Sequence, residues 1–111
     1  MQQMIMAATN ERLFNPYADV PRPIGWNTTI SSPSMHAETL NNLLPILQTA
    51  RSVLDIGTGS GFITAAMAYL THDNCKVYAM DHIQEINDFA MKNIQTICPG
   101  LWRKNKIKFI T

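Results

Sequence analysis

The sequence predicts an α/β fold in which helices pack on a parallel sheet, and three observations lead to this prediction. In the second half of the chain, short apolar runs alternate with longer segments that show helical periodicity. The order β-α-β-α-β is typical of parallel strands joined by right-handed crossovers. The first of these strands runs directly into a glycine-rich turn, which is common in nucleotide-binding folds. The chain has 111 residues, 46% of them hydrophobic, which suits one small domain or part of a larger one.

The first part of the chain, residues 1–31, is predicted to hold a short N-terminal helix and an extended segment. Residues Met1–Ala8 are largely apolar and tolerate a helix. Asn15–Trp26 contains three prolines and a glycine, and proline fixes φ and removes a hydrogen-bond donor. This stretch is therefore expected to be extended and irregular. Residues 32–111 form the second predicted unit and carry the alternation of strands and helices.

The first helix of the second unit is predicted to begin after Ser32. A serine can cap a helix, and Pro33 suits the first helical position because no intrahelical N–H is needed there. Leucines then recur at helical spacing. Pro45 lies inside this pattern, and an interior proline costs about 3 kcal/mol. We therefore expect a kink or an early end of this helix near Leu44.

The alternation of strands and helices follows this first helix. The predicted strands are Ser52–Ile56, Lys76–Met80 and Ile107–Ile110. Gly61–Leu70 is predicted to be a helix that is apolar on nearly every side. Ile83–Ile97 is predicted to be an amphipathic helix, because its apolar residues recur three or four positions apart. The pair Pro99-Gly100 should end it.

A glycine-rich turn follows the first strand of the alternation, and its residues Gly57–Gly61 are called the glycine turn below. Glycine permits positive φ and close approach of a ligand to the backbone, and the helix N-terminus adds free N–H groups. The spacing is G-x-G-x-G, with Asp55 two residues before the first glycine. It differs from the G-x-G-x-x-G pattern of NAD-binding folds, because Phe62 occupies the third glycine position.

A second acid, Asp81, ends the next predicted strand, about 20 residues after the glycine turn, where a carboxylate can accept hydrogen bonds from ribose hydroxyls. The alternative is that the glycine turn is only a sharp strand-to-helix turn and that Asp81 only caps the next helix. The combination of glycine spacing with two acids resembles the cofactor motifs of class I methyltransferases that use S-adenosylmethionine.

The segment before the glycine turn carries a more specific resemblance. The pattern Y-x-D-x-P-x-x-I-G spans Tyr17–Gly25, and T-I-S-x-P-x-M-H-A spans Thr29–Ala37. Both resemble the substrate-side segment of protein-L-isoaspartate O-methyltransferases. The stretches VLDIGTGSGF (Val53–Phe62) and MDHIQE (Met80–Glu85) resemble the cofactor motifs of the same family. The resemblance covers nearly the whole chain, and residues 32–111 correspond to the N-terminal half of the methyltransferase domain.

The resemblance implies a Rossmann-like class I methyltransferase fold, of which the chain supplies the first three parallel strands. It also implies an S-adenosylmethionine-dependent enzyme that methylates the free carboxyl of isoaspartyl and D-aspartyl residues in damaged proteins, so that they can be repaired. The nucleophile is a carboxylate, which is already ionised at pH 7, so no general base is expected. A methyltransferase with another nucleophile is disfavoured by Tyr17–Ala37 and by the lack of an N-P-P-Y or D-P-P-Y motif of amine methylation.

The resemblance further implies which residues form the site. Ser31 is the candidate for orienting the substrate carboxylate, and the alternative is that it only caps the following helix. The expected cofactor-binding residues are Thr28, Thr29, Ile30, His36, Asp55, Gly57, Thr58, Gly59, Ser60, Gly61, Asp81, His82 and Ile83. His36 alone would as readily be a packed histidine, and the ring of His82 is expected at the surface. No metal is expected.

The sequence departs from the family's pattern in two residues and in length. Ser34 stands where the family has a second histidine, and Pro45 lies where the family's helix continues. The family's sheet goes on through a G-D-G motif after the third strand, whereas this sequence ends at Thr111. We therefore expect a truncated form with an open apolar edge, which binds the cofactor weakly and transfers methyl groups poorly or not at all. The alternative is a non-catalytic remnant that binds the cofactor or pairs with another chain.

Composition limits the other classes of function. Nine basic and eight acidic residues give a formal charge of +1, which favours neither nucleic acid nor an anionic membrane as a partner. No apolar run approaches the roughly 18 residues of a membrane span, and the N-terminus lacks the pattern of a signal peptide. Cys75 and Cys98 are far apart and are expected to pack as small apolar groups. A cytoplasmic protein is predicted, with isoaspartyl-containing proteins and peptides as its partners.

Overall fold

The computed structural model describes residues 18–111, which fold into two small sheets and four helices. Strands β1 (Arg22–Gly25) and β2 (Thr28–Ile30) form an antiparallel hairpin. The elements that follow are α1 (Pro33–Leu47), β3 (Ser52–Ile56), α2 (Phe62–Leu70), β4 (Lys76–Met80), α3 (Gln84–Ile97), α4 (Pro99–Arg103) and β5 (Ile107–Ile110). The predicted N-terminal helix at Met1–Ala8 and the family-matching Tyr17 lie outside the described residues, so the predicted division at residue 31 stays a prediction.

The larger sheet has the order β3-β4-β5, and both of its pairs are parallel. Val53 of β3 lies opposite Val77 of β4, which in turn lies opposite Ile107 of β5. The three strands have the predicted boundaries, and the alternation of strands with helices is confirmed. Because parallel strands place their carboxyl ends at one edge of the sheet, the glycine turn after β3 and Asp81 after β4 come to the same side.

One face of this sheet carries the core. Val77 is fully buried and Ile107 is 4% exposed, and both pack with apolar side chains of α2 and α3. Leu54 and Ile56 alternate along β3 with the partly buried Val53 and Asp55, and they are 51% and 73% exposed. Within residues 18–111, β3 has a neighbouring strand on one side only. The expected open apolar edge is therefore present in this part of the chain.

Helix α1 begins at Pro33 after the Ser32 cap, as predicted. Of the two outcomes expected near Leu44, the early end is wrong and the kink stays a prediction. The helix continues to Leu47, and Pro45 lies within its last turn. A proline this close to the end removes one hydrogen bond and leaves little helix beyond it to disturb. Leu47 is 1% exposed, and burial of a leucine side chain contributes about 1.5–3 kcal/mol, which offsets that loss.

The segment predicted to be irregular contains strand β1, so that part of the prediction is wrong. Trp26 and Asn27 both have left-handed φ, 52° and 57°, and they form the two-residue turn of the β1–β2 hairpin. Asparagine tolerates this conformation, whereas tryptophan rarely adopts it, so the sequence contains only a weak turn signal. Ile24 and Ile30, one from each strand, are 7% and 6% exposed and join the core cluster.

Helix α3 has the predicted amphipathic pattern, with Ile86, Ala90 and Ile94 fully buried. It ends at Ile97, just before the proline-glycine pair, as expected. The short helix α4 was not predicted, although proline is well tolerated in the first turn where α4 begins. Among residues 18–111, the helices are all too short or too polar to cross a membrane.

Candidate functional site

A cavity of about 250 Å³ lies where the glycine turn, the end of the hairpin and the start of α1 meet. Its lining residues are Thr29, Ile30, Ser31, Met35, His36, Thr39, Asp55, Gly57, Thr58, Gly59, Ser60, Phe62 and Ile63. Three segments that are distant in sequence thus converge at the carboxyl end of the sheet. Open parallel sheets bind their ligands at this edge.

The cavity brings together most of the predicted site residues. Those that line it are Thr29, Ile30, Ser31, His36, Asp55, Gly57, Thr58, Gly59 and Ser60. Those that do not line it are Thr28, Gly61, Asp81, His82 and Ile83. Thr28 is engaged inside the hairpin, where its Oγ1 donates to the Gly25 carbonyl oxygen at 2.7 Å. The Thr28 hydroxyl would therefore have to give up this bond in order to donate to a ligand.

The backbone conformation of the glycine turn favours glycine at three of its positions. Gly57, Gly59 and Gly61 have φ of 85°, 56° and 90°, a left-handed region that other residues rarely adopt. The N–H groups of Gly57 and Thr58 both donate to the Met80 carbonyl oxygen, at 2.8 and 3.3 Å. The turn is thereby tied to the end of β4, and its curvature positions the residues that line the cavity.

Thr58 contributes a buried hydroxyl that has no protein partner among residues 18–111. The residue is 5% exposed, and its Oγ1 is fully buried without a hydrogen bond. A buried polar group in this state costs about 1–3 kcal/mol. Helix α2 begins directly after the turn, and its cap residue, Gly61, offers no side-chain hydrogen bond. An unsatisfied hydroxyl and uncapped helix N–H groups together suit an anionic or hydroxyl-bearing ligand.

Asp55 reaches the cavity from the end of β3. Burial raises the pKa of Asp55, while a hydrogen bond from Thr64 lowers it and the nearby charge of Asp81 raises it further. Thr64, which is fully buried, donates through Oγ1 to Asp55 Oδ2 at 2.6 Å. The Asp55 carboxyl group is thus held in place by Thr64, while its burial disfavours the ionised form. A cationic group in the cavity would stabilise it.

Asp81 follows β4 and is 7% exposed. Its Oδ1 accepts the Ile83 N–H at 3.2 Å, just before α3 begins. The cap residue of α3 is Ile83, and no side chain caps the helix, so Asp81 fixes the turn before α3 rather than capping α3 itself. His82 is exposed at 88%, and its Nδ1 lies 3.4 Å from Asp81 Oδ1. The binding of a ribose by Asp81 stays a prediction.

His36 projects from the first turns of α1 into the wall of the cavity. Its ring stacks on Phe62, with centroids 4.7 Å apart and planes 28° apart. Burial lowers the pKa of His36 below its ordinary value of 6.5. The imidazole is therefore mainly neutral at pH 7. It is a packed histidine and a cavity residue at once, so the two alternatives do not exclude each other.

Ser31 and its neighbour have different places in the structure. Ser32 caps α1, because its Oγ accepts the Met35 N–H at 3.4 Å. Ser31 lines the cavity. The capping role that the sequence left open for Ser31 is therefore taken by Ser32, and the Ser31 side chain is available to a ligand.

The substrate-side segment is anchored to the rest of the site at two points. Asp19 Oδ1 accepts the Ser34 N–H at 2.9 Å, and its bonds with the Ser34 backbone and side chain hold the pKa of Asp19 below its usual value. Ser34, which replaces a histidine of the family, thus binds the chain that precedes the hairpin. Ile24 Cδ1 lies 3.6 Å from the position that a Cβ at Gly59 would take. The hairpin therefore packs directly on the glycine turn.

Two buried asparagines of α3 were missed by the sequence reasoning. Asn93 Nδ2 donates to the Ser60 carbonyl oxygen at 2.9 Å. Asn87 Nδ2 donates to the carbonyl oxygens of Asp81 and Ile110 at 3.2 and 3.0 Å. A signal was present, because both asparagines lie on the buried stripe of α3 at helical spacing from the core isoleucines. A polar residue in such a stripe indicates a buried partner.

A larger groove, of about 620 Å³, lies between α1, α2 and α4. Its lining is almost wholly apolar, with Leu40, Phe62, Leu70, Ile97 and Leu101 among its residues. It contains none of the glycine turn and no carboxylate. The smaller cavity is therefore the candidate site, since only there do polar groups converge with a helix N-terminus.

Comparison with known sequences identifies the relatives of the chain. A sequence model of the protein-L-isoaspartate(D-aspartate) O-methyltransferase family matches residues 6–101. Protein-L-isoaspartate O-methyltransferase 2 of Arabidopsis thaliana is 40% identical over 96 residues, which cover 82% of this chain and 31% of that protein. A protein-L-isoaspartate O-methyltransferase of Methanococcoides burtonii is 44% identical over 79 residues, which cover 71% and 38%. The chain thus spans about a third of the length of these curated relatives.

A solved structure shows the same architecture. It is a Plasmodium falciparum protein assigned as a protein-L-isoaspartate O-methyltransferase, in complex with S-adenosyl-L-homocysteine. Its TM-score is 0.83 at 30% sequence identity, and the match covers 97% of this chain and 50% of that one. The predicted methyltransferase fold, here with three parallel strands, is confirmed by this likeness.

Proposed function

The chain belongs to the protein-L-isoaspartate O-methyltransferase family, and we propose that it transfers a methyl group from S-adenosylmethionine to the free carboxylate of isoaspartyl and D-aspartyl residues in damaged proteins. The observation that carries the proposal is the convergence of Ser31, His36 and the glycine turn on one cavity. Isoaspartyl-containing proteins and peptides are its proposed substrates. The cytoplasm is the proposed compartment, because Cys75 and Cys98 are free thiols, as a reducing environment favours.

The residues around the cavity fit the cofactor. The unsatisfied Thr58 hydroxyl and the uncapped N–H groups of α2 suit the carboxylate of its amino acid portion. Asp55, ionised at a cost, suits the positively charged groups. Asp81 is proposed to accept hydrogen bonds from the ribose hydroxyls. When bound, S-adenosylmethionine supplies an activated methyl group on a positively charged sulfur.

Ser31 is proposed to orient the substrate carboxylate through its hydroxyl. It lines the cavity, and helix α1 does not need it, because Ser32 is the cap. A carboxyl group with an ordinary pKa of about 3.5–4 is ionised at pH 7, so the chain needs no general base. Alignment of the two reactants can contribute about 7–11 kcal/mol to lowering the barrier.

The stacked rings of His36 and Phe62 are proposed to keep water away from the reacting groups. They form a continuous wall beside Ser31, and the lowered pKa of His36 leaves its ring mainly neutral at pH 7. A neutral wall adds no positive charge next to a cationic cofactor. It also removes water that would otherwise solvate the carboxylate.

A second candidate function is cofactor binding without methyl transfer, in a complex with another chain. The observation that favours it is the edge of β3, where Leu54 and Ile56 are exposed beside backbone groups that pair with no strand among residues 18–111. Such an edge readily accepts another strand. Under this alternative the cavity binds the cofactor, and the catalytic rate depends on the partner.

The test is methyl transfer from labelled S-adenosylmethionine to an isoaspartyl peptide, with the matching aspartyl peptide as control. We expect a base-labile methyl ester on the isoaspartyl peptide alone, at a rate below that of a full-length relative assayed alongside. Cofactor binding with no label on either peptide would support the second candidate instead. Equal labelling of both peptides, or no cofactor binding, would refute the proposal.

Two adjacent serines provide a matched pair of variants. Ser31→Ala should lower the methyl transfer rate by at least about tenfold, with little change in cofactor affinity or thermal stability, because it removes one orienting hydrogen bond to a charged group. Ser32→Ala should lower stability by about 1 kcal/mol through loss of the helix cap, with the rate per folded molecule unchanged. If Ser31→Ala instead abolished cofactor binding, the role assigned to Ser31 would be wrong.

A further inference from the structure

We propose that Asn93 is a positioning residue for the glycine turn, and that its side chain is required for the cofactor affinity of the site. The inference rests on the proposed function, because it assumes that the glycine turn binds S-adenosylmethionine. It adds a residue from the middle of α3. Only the first turn of this helix overlaps a predicted cofactor motif. The geometry that points to Asn93 has three parts.

The first part is a buried hydrogen bond between α3 and the glycine turn. Asn93 Nδ2 donates to the Ser60 carbonyl oxygen at 2.9 Å, across 33 residues of sequence. Asn93 is 7% exposed and Ser60 is 3% exposed. Water therefore has little access to this bond, and its loss would leave the Ser60 carbonyl buried without this donor.

The second part is the peptide group that this bond fixes. The Ser60 carbonyl and the Gly61 N–H belong to the same planar peptide unit. The N–H end donates to the Thr58 carbonyl oxygen at 3.0 Å, and the carbonyl end accepts from Asn93. The unit is thus held at both ends. Its orientation closes the tight turn that includes Thr58, a residue that lines the cavity and whose hydroxyl is buried without a partner.

The third part is the close packing of α3 behind the turn. A Cβ at Gly61 would lie 3.1 Å from Ala90 Cβ and 3.3 Å from Ile94 Cδ1. Asn93 lies between these two contacts on the same buried stripe of α3. The surface of α3 at this point therefore fits the turn closely, and among residues 18–111 Asn93 provides the side-chain hydrogen bond from α3 to the turn. Apolar packing alone would allow the peptide unit to rotate.

The experiment compares Asn93→Ala with Thr71→Val. Thr71 is also 7% exposed and also donates a buried side-chain bond to a carbonyl oxygen, that of Met67 at 2.9 Å, but it lies at the opposite end of the sheet. Both variants should lose thermal stability to a similar extent. Only Asn93→Ala should raise the dissociation constant for S-adenosylhomocysteine, by tenfold or more, when measured well below both melting temperatures.

Hydrogen exchange in the absence of cofactor provides an independent readout. We expect Asn93→Ala to speed amide exchange at residues 57–61 at least tenfold more than Thr71→Val does. Asn93→Gln, which keeps the donor, should recover part of both effects. If Asn93→Ala is poorly folded, Asn93→Leu, which has a similar size and loses the donor without burying a charge, replaces it in both measurements.

The outcomes separate this inference from the proposed function. Unchanged exchange at residues 57–61, or a dissociation constant within twofold of the parent chain, would overturn the role of Asn93. Absence of cofactor binding by the parent chain would refute the proposed function and, with it, the affinity claim. In that case faster exchange at the glycine turn would still show that Asn93 fixes the turn.

Discussion

The two ends of the three-stranded sheet differ in how far their buried polar groups find partners within the chain. At the amino end, Lys106 is 2% exposed, yet its Nζ donates to the carbonyl oxygens of Thr71 and His72 at 3.1 and 2.9 Å. At the carboxyl end, Thr58 Oγ1 is buried without a partner, and burial raises the pKa of Asp55. The amino end thus compensates its buried ammonium within the chain. The carboxyl end also has satisfied polar groups, but there Thr58 Oγ1 has no partner among residues 18–111 and Asp55 is compensated only in part, by Thr64.

This contrast indicates which end is built for stability and which for binding. The Lys106 ammonium lies at the C-terminus of α2, where the helix dipole and the last carbonyls favour a positive charge. Burial lowers the pKa of Lys106, so this placement is only partly favourable to the charge. At the carboxyl end, the cost of burying Thr58 Oγ1 is not compensated by any group of residues 18–111, and that of burying Asp55 is compensated only in part, by Thr64. Substitutions at the two ends should therefore separate stability from cofactor affinity.

The largest expected effect is that of Gly61→Ala, which should disrupt the carboxyl end. Gly61 has a φ of 90°, and an added Cβ would lie 3.1 Å from Ala90 Cβ and 3.2 Å from the Ala90 carbonyl oxygen. Backbone strain and overpacking each cost about 1–3 kcal/mol. We expect a large loss in the free energy of unfolding, measured by urea titration, and no detectable cofactor binding by calorimetry.

Gly100→Ala is the control for this substitution. Gly100 lies in α4 without a left-handed φ, and a Cβ there would meet no atom within 4 Å. Since alanine favours helix over glycine by up to about 1 kcal/mol, this variant should be as stable as the parent chain or more so. Equal stability of the two glycine variants would contradict the packing described for the glycine turn.

Lys106→Met should destabilise the amino end of the sheet without changing cofactor binding at the carboxyl end. It retains the apolar stem but leaves the Thr71 carbonyl oxygen without its side-chain donor, at a cost of about 1–3 kcal/mol, while the His72 carbonyl oxygen keeps the Cys75 N–H. The cofactor dissociation constant should not change. Lys104→Met, which removes an exposed ion pair with Asp73, should have little effect on either quantity. A weaker cofactor affinity in Lys106→Met would show that the two ends are coupled.

Thr58→Val and Thr71→Val remove the same hydroxyl from opposite ends of the sheet. Thr58→Val should weaken cofactor binding by about tenfold and leave stability unchanged or higher, because its hydroxyl has no partner in the chain. Thr71→Val should lower stability by about 1 kcal/mol, because it loses the bond to Met67, with affinity unchanged. Thermal melts and calorimetry measure the two quantities. A loss of stability in Thr58→Val would show that the Thr58 hydroxyl stabilises the folded chain, which would refute the proposed difference between the two ends of the sheet.

The smallest effect expected is a pH dependence of stability that comes from Asp55. Its folded-state pKa is raised above the ordinary value of 3.8, so the folded chain binds the proton more tightly than the unfolded chain does. This group should therefore lower stability as pH rises from 3.8 through the raised pKa, and its full cost should be present above that interval. Asp55→Asn should remove this contribution and be more stable than the parent chain at pH 7, while it binds the cofactor less well.

Urea unfolding between pH 4 and pH 8 would measure this contribution. Asp73→Asn serves as the control, because Asp73 is 83% exposed. A pH profile of Asp55→Asn that matches those of the parent chain and the control would show that the Asp55 carboxylate carries no such cost.

Much of the fold and part of the site were predictable from the sequence, because they rest on local patterns. The strands and the α3 stripe follow from periodicity, and the glycine turn follows from residues that tolerate left-handed φ. The hairpin turn at Trp26 and Asn27 was missed, because its conformation is imposed by burial of Ile24 and Ile30 in the core. Tertiary packing overrides local preference there.

Other features depend on contacts between distant residues, which a sequence does not display. The bond from Asn93 to Ser60 and the pKa of Asp55 arise only once α3 and α2 pack beside the glycine turn. Pro45 was predicted to kink α1 or to end it early, because the local cost of proline was visible and the burial of Leu47 was not. The unsatisfied hydroxyl of Thr58 likewise requires knowledge of its surroundings.

The most direct test of the central claim is an NMR titration of the chain with S-adenosylhomocysteine, with amide signals followed at both ends of the sheet. The contrast predicts saturable shifts at residues 57–61 and 29–31 and at Asp55, with the signals of Thr71 and Lys106 unmoved. Shifts concentrated at the amino end, or none at saturating ligand, would contradict the assignment of the carboxyl end as the cofactor site.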